Sequence, residues 1–362
     1  MLSSFNLGKE FIEEIKQYKD CLANLAAKPE DAYRIGQLEG QSDHILMDLV
    51  DPWDYDVSAI LGSKAFRRLS SKTQVQFNPA NPHIRTRLSH TCEVLSYSVT
   101  LAGYLGLNRP LTSAIAHGHD IGHTPCGHFG ERQLSELSGK EFEHAVFGVV
   151  IAREIERRGG GLKLTGQTLQ GIRYHSSGKG AIVLNDQLTQ EGRSVQIMDG
   201  VCYSCSDDND ANRNGISVAK IAPWINDVFG TTQRQRMQTL MLAIIEESAI
   251  EGKISFTKSP MAQKFAEFKA LMYKHVYLPR DWSFAGEAMK RIYDQLPDLF
   301  PKCDPAILIA LMTDNEFFKL ASALMATSTL KMDDFRDFGI LEIYPHIIGK
   351  EIDFSDPGLL SA

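Results

Sequence analysis

Residues 114–131 read AIAHGHDIGHTPCGHFGE and hold four of the eleven histidines of a 362-residue chain, together with Asp120 and Glu131. Read as a helix, the stretch places His119 and His123 on one face, four apart, with Asp120 three residues before His123. Gly122, Pro125 and Gly127 break that helix near His123, and the second half then turns His128 and Glu131 round toward the first. Adjacent side chains on a helix diverge by about 100°, so His119 and Asp120 converge on one ion only at a helix end. One histidine and one aspartate leave a metal short of ligands. His90 in RTRLSHTCEV, on the preceding expected helix, and Asp199 in VQIMDGVCYSCSDD, downstream, offer the remaining groups. Two imidazoles with two carboxylates form a mixed N/O set with room for water, suited to Mn2+, Fe2+, Ni2+, Zn2+ or Mg2+. Such an ion activates water and neutralises phosphate charge. His117 lies outside the dyad and is expected to pack, and the isolated His44, His83, His275 and His346 are expected to be structural.

The rest of the chain reads as helix. In EFIEEIKQYKDCLANL, Phe11, Ile15, Tyr18, Leu22 and Leu25 recur at spacings of three and four, and Leu88, Cys92, Leu95, Val99 and Ala102 repeat this in RLSHTCEVLSYSVTLAGYLG. Further helices are expected over roughly 111–122, 130–138, 142–157, 195–212, 235–250, 261–276, 284–296 and 304–328. Strand signal is confined to AIVL (181–184) and KISF (253–256), and 158–194 reads as a long irregular connection. SSGKG in that connection does not complete a phosphate loop. The expectation is an all-α fold with additional helices at both ends of its core. It divides into an N-terminal helical segment (1–50), a main domain (51–300) and a C-terminal helical extension (301–362).

Composition narrows the function. A chain 43% hydrophobic and 23% charged is an ordinary globular composition, and a formal charge of −7 disfavours nucleic acid as the main partner. The first twenty residues reach charge at Lys9 without a long apolar run, and no stretch is apolar enough for a membrane span. Six scattered cysteines read as reduced thiols, so the expected location is cytoplasmic. Cys202 and Cys205 have CxxC spacing but neither a second pair nor a thioredoxin-like context, and are expected to be small residues on a helix.

Four blocks in order, FRRLSSKTQV (66–75), RTRLSHTCEV (85–94), HDIGHTPCGHFGE (119–131) and QIMDGVCYSCSDD (196–208), resemble the HD-domain metal-dependent phosphohydrolases of the deoxyguanosine triphosphate triphosphohydrolase branch. FKALMYKHVY (268–277) is similar to a helix that follows the core in that family. The resemblance spans roughly residues 50 to 300 and implies an HD helical core. It makes His90, His119, Asp120 and Asp199 the ligands of one divalent ion per chain. It makes His128 and Glu131 an acid–base pair, with His123 and His144 near the reacting phosphates and Arg87 holding phosphate oxygens. Gln74, Tyr203, Asp207 and Tyr273 would contact substrate, the first three at the deoxyribose. Tyr203 and Asp207, four and eight residues past Asp199, share its helix face. The implied reaction is attack of water on the α-phosphorus of a deoxynucleoside triphosphate, releasing deoxynucleoside and tripolyphosphate, and relatives form homo-oligomers. Thr124 and Cys126 stand where the family turn commonly carries proline and phenylalanine. Asp208, Asn209 and Asn212 make the end of the Asp199 helix unusually polar, in reach of a sugar or base pocket.

Two other functions fit parts of this pattern. An HD phosphohydrolase could act on a nucleoside monophosphate, a cyclic dinucleotide or an alarmone, but the KTQV and RTRLSH blocks belong to the triphosphohydrolase branch. A non-catalytic protein binding nucleotides or single-stranded nucleic acid would not need the complete ligand set and acid–base pair.

Overall fold

Caps and glycines, more than apolar periodicity, decide where the helices lie. A computed structural model describes residues 9–37, 49–74, 81, 83–176, 182–213, 215–278 and 281–355. The fold is all-α: among the described residues no strand forms, and the isolated bridges Arg34–Thr165 and Thr73–Thr86 are the β pairing seen. Two backbone donors of the KISF stretch go to side chains instead, Ile254 N to Gln190 Oε1 (2.8 Å) and Ser255 N to Ser248 Oγ (3.1 Å). Residues 182–184 of AIVL are irregular, and residue 181 lies outside the described residues, as does His44.

The first helices are α1 (Lys9–Lys16), α2 (Pro52–Leu61), α3 (Lys64–Arg68), α4 (Arg87–Leu105) and α5 (Arg109–Gly118). Then come α6 (His128–Ser138), α7 (His144–Val150), α8 (Glu156–Gly159), α9 (Gly166–Tyr174) and α10 (Gln190–Arg213). The remainder are α11 (Val218–Ile221), α12 (Trp224–Phe229), α13 (Gln233–Glu251), α14 (Pro260–Met272), α15 (Ser283–Leu299), α16 (Pro305–Ala310), α17 (Asp314–Thr327) and α18 (Ile340–Ile347).

Several sequence expectations are corrected. The N-terminal helix stops at Lys16, and Asp20 at φ 57° lies in the turn that follows, so its apolar repeat does not make one long helix. The expected 304–328 helix is two, because Thr313 and Glu316 form a reciprocal capping box that starts α17 afresh. The expected 142–157 helix passes into a π-helical turn over Ile151–Ile155 and a kink at Arg157 and Arg158. The 158–194 connection contains α9 and the start of α10. Most consequential, α5 ends at Gly118, so His119, Asp120 and His123 lie in a run of turns rather than on a helix.

The chain divides into two compact units, each assembled from three stretches of sequence. Met1–Asp31, Cys92–Ala116 and Tyr174–Arg280 form the first, and Ala32–Thr91, His117–Arg173 and Asp281–Ala362 the second. In the first, α10 packs on α13 and α14, and Phe229 and Phe268 meet at 5.9 Å between ring centroids. In the second, α15 packs against α6 and α17, and Phe129 of α6 stacks on Trp282 at 4.8 Å. Phe147, Ile172, Leu308 and Phe317 are fully buried in the second unit's core, each contributing about 1.5–3 kcal/mol. This core supports α6, the helix that begins at His128. No helix among the described residues is long and apolar enough to cross a membrane.

Candidate active site

The second unit gathers most of the residues singled out from the sequence. The turns after α5 approach α7 so closely that a Cβ at Gly122 would stand 2.0 Å from the His144 carbonyl oxygen, so only glycine fits there. The approach gathers two groups of side chains. In the first, His90, His119 and Asp120 are all buried and each offers one ligand atom, the three within 4.8 Å of one another. The His90 and His119 rings meet edge-on at 5.6 Å. The Arg87 guanidinium donates to Asp120 Oδ2 (3.0 Å), and His123 Nε2 lies 3.1 Å from Oδ1. Burial alone would raise the Asp120 pKa, but His119, Arg87 and His123 outweigh it and hold the carboxyl well below the usual range. Two imidazoles and a carboxylate whose neighbours favour its ionised form fit a divalent transition metal or Mg2+.

The second group surrounds Glu131. His128 Nδ1 lies 2.8 Å from Glu131 Oε1, His144 Nδ1 lies 3.2 Å from both carboxylate oxygens, and His123 Nδ1 lies 3.2 Å from Oε1. The His123 and His144 rings stack at 3.7 Å. Burial works against ionisation of Glu131, yet the neighbouring His144 and His128 keep it well below the ordinary carboxylate range. Partial desolvation of the His128 ring opposes its protonation, but the charge and hydrogen bond of Glu131 prevail and raise its pKa. His123 goes the other way: burial, Arg87 and His144 push it down to about 3, so it is neutral at physiological pH. Its ring, with one nitrogen toward Asp120 and the other toward Glu131, links the two groups. His128 itself is exposed, its side chain 60% accessible, whereas His123 and His144 are buried. A group open to incoming molecules and backed by a buried carboxylate is suited to proton transfer.

Arg87 also faces the turn. Gly127, at φ 55°, would place a Cβ 2.9 Å from Arg87 Nη2, so its lack of a side chain gives the guanidinium room. Gln74 lies in the same unit, and its side-chain oxygen is buried without a hydrogen-bond partner among the described residues. His117 packs against Phe66 at 5.7 Å.

In the first unit, α10 carries Asp199, Tyr203 and Asp207 on one face. Tyr277, which sequence reasoning passed over in favour of Tyr273, donates its hydroxyl to Asp207 Oδ2 at 2.8 Å. Tyr273 lies edge-on to Tyr277 at 5.3 Å, within a π-helical turn over Tyr273–Tyr277 that re-aims both rings. Burial raises the pKa of Tyr203 well above normal, and burial together with Asp207 does so for Tyr277, so both phenols remain protonated donors. Lys269, also missed, is fully buried. Its ammonium has no hydrogen-bond partner among the described residues, lies 5.5 Å over the Tyr203 ring, and is depressed by burial to about 8. Its place in FKALMYKHVY, one turn before Tyr273, was the available signal. Asp208 does not serve the pocket suggested by the polar end of α10: it pairs with buried Arg236 and accepts from Val218 N (3.2 Å), tying α10 to its neighbours. Cys202 and Cys205 are buried on α10 and form no disulfide among the described residues.

The HD domain family profile matches residues 87–203. A deoxyguanosinetriphosphate triphosphohydrolase-like protein of Desulfatibacillum aliphaticivorans is 39% identical over 229 residues, covering 61% of this chain and 65% of that protein. The chain therefore spans slightly under two thirds of that relative. A like-named protein of Caldanaerobacter subterraneus subsp. tengcongensis is 34% identical over 289 residues, 80% of this chain and 81% of its own length. Deoxyguanosinetriphosphate triphosphohydrolase-like protein 1 of Deinococcus radiodurans is 41% identical over 170 residues, 44% of this chain and 45% of its own. With the HD match centred on the residues that converge in the second unit, and similarity extending over four fifths of the chain, this protein belongs to the HD-domain family of deoxyguanosinetriphosphate triphosphohydrolase-like proteins.

Proposed function

We propose that the protein hydrolyses deoxynucleoside triphosphates to deoxynucleoside and tripolyphosphate. The observation that carries this reading is the juxtaposition, through His123, of a buried His90–His119–Asp120 group with an acid–base cluster around Glu131. A divalent ion held by His90, His119 and Asp120 would supply an activated water and neutralise phosphate charge. Asp199 as fourth ligand rests on the family resemblance. Arg87, with donors beyond the one engaged by Asp120, is suited to phosphate oxygens. Glu131, held ionised, stabilises protonated His128, which fits His128 to give a proton to the departing 5′-oxygen. The buried ammonium of Lys269, which has the Asp199 carboxylate nearby but no hydrogen-bond partner among the described residues, is suited to phosphate oxygens.

On the family resemblance, Gln74, Tyr203 and Asp207 would contact the deoxyribose and Tyr273 another part of the substrate, and Tyr277 holds Asp207. Replacing Tyr203 by alanine should lower the ratio of dNTP to NTP turnover by roughly tenfold while leaving bound metal unchanged. Equal ratios in the two proteins would remove Tyr203 from that role. For Glu131→Gln, loss of the carboxylate removes what raises His128, so the His128 pKa falls. If His128 acts protonated, the alkaline limb of the pH–rate profile moves to lower pH. A limb that stays in place would contradict the acid assignment. The whole reading is tested by screening the four dNTPs and four NTPs with Mn2+ and with Mg2+, following tripolyphosphate by chromatography. Release from dNTPs in preference to NTPs is expected; release from none of them would overturn it.

A further inference from the structure

The turn that leads into α6 carries Cys126 at φ 62° and Gly127 at φ 55°. A non-glycine residue in the left-handed region persists where its surroundings over-determine it. Two buried charged side chains supply that constraint. Asp314, 2% exposed, accepts from the Cys126 amide through Oδ1 (2.7 Å) and from the Thr73 amide through Oδ2. Lys72, 1% exposed, donates from Nζ to the carbonyl oxygens of His123 and of Ala310, the latter at 2.9 Å. The Thr124 hydroxyl lies 3.0 Å from the Pro125 and Gly127 carbonyl oxygens and closes the turn on itself.

These bonds meet where three chemically important stretches cross. Residues 72–74 carry Gln74, and Thr73 bridges to Thr86. The Lys72 carbonyl accepts from Arg87 N at 2.9 Å, at the start of α4. The turn itself carries His123 and delivers His128 to α6. The fourth stretch, Ala310 to Asp314, lies far beyond the HD match, and the Thr313–Glu316 capping box fixes its backbone.

We infer that Asp314, acting with Lys72, is a positioning residue for catalysis. It locks the 123–127 turn to residues 72–74 so that His123 and His128 keep their places on Glu131, making the start of α17 part of the active-site framework. The inference rests on the reading of His128 and Glu131 as the proton-transfer pair. Asparagine at 314 keeps the volume but presents one acceptor and one donor to two amide donors, so one of the two contacts is lost. Misplacing a catalytic group by about 1 Å costs on the order of 100-fold in rate.

The test compares Asp314→Asn, Lys72→Met and the double variant with the unaltered chain, each metal-loaded. Metal content, kcat and KM for the preferred dNTP are measured, with amide exchange of residues 72–74 and 123–127. The expected result is a kcat lower by about 10- to 100-fold, KM and metal content little changed, and faster exchange in the turn. The double variant should fall little further than the worse single one, because both act on one turn. A kcat close to that of the unaltered chain, with only the melting temperature lowered, would reduce Asp314 to a structural brace and overturn the inference. Lys72→Met, which keeps the hydrocarbon stem, carries the same decision if Asp314→Asn does not fold. If the unaltered chain releases no tripolyphosphate, the functional reading fails separately, and unchanged exchange at 123–127 would then overturn the clamp itself.

Discussion

Asp120→Ala is expected to abolish metal binding and turnover together. Asp120 supplies the one carboxylate of the buried His90–His119–Asp120 group, and its ionised state is enforced by three neighbouring cationic or imidazole side chains. The substitution has a second cost. It leaves the Arg87 guanidinium, whose side chain is 4% exposed, without the carboxylate at 3.0 Å, and breaking a buried pair costs about 3–5 kcal/mol. Asp120→Asn keeps the volume and a donor–acceptor group, so it should fold better while still losing metal. Elemental analysis and melting temperature on both variants check this. A variant that folds and retains a full complement of metal would remove Asp120 from the ligand set.

His128→Asn should do the reverse, keeping metal and fold while turnover falls by roughly two to four orders of magnitude, the usual contribution of a positioned acid or base. Its exposed imidazole makes little of the core, so the variant should fold, losing about 1 kcal/mol with the charge-assisted contact to Glu131. Asparagine retains a polar contact for Glu131 but does not titrate near neutral pH. Metal content, dNTP binding and turnover measured on one preparation decide the assignment. Near-normal turnover would contradict it, and loss of metal would move His128 among the ligands.

The sequence reveals the chemistry of this site better than its backbone. Four histidines among glycine, proline and aspartate announce an unusual stretch because each residue type is chosen for a reason visible locally. The helix assumed through His119 and His123 is an error of the same local reasoning. Apolar periodicity carries past Gly118, whereas the close approach of Gly122 to His144, which shapes the turn, is made by residues far apart in sequence. Tyr277 goes unnamed because the resemblance points to Tyr273, whereas the bond of the Tyr277 hydroxyl to Asp207 spans 70 residues and appears only in the folded chain. Asp314 leaves no local trace, and Lys72, though it opens the KTQV block, gives no sign of its role: their partners Cys126 and Ala310 lie 188 and 238 residues away, and only the folded chain brings those stretches together. The interleaving of two units from six stretches likewise has no signature in periodicity, which reports one element at a time.

The proposed attack of water on the α-phosphorus is open to a decisive test, hydrolysis in 18O-labelled water. The metal-loaded protein is given its preferred dNTP and both products are weighed by mass spectrometry. Attack at the α-phosphorus gives intact tripolyphosphate carrying one 18O atom and deoxynucleoside carrying none. Label in the deoxynucleoside, or release of orthophosphate or pyrophosphate in place of tripolyphosphate, would contradict it.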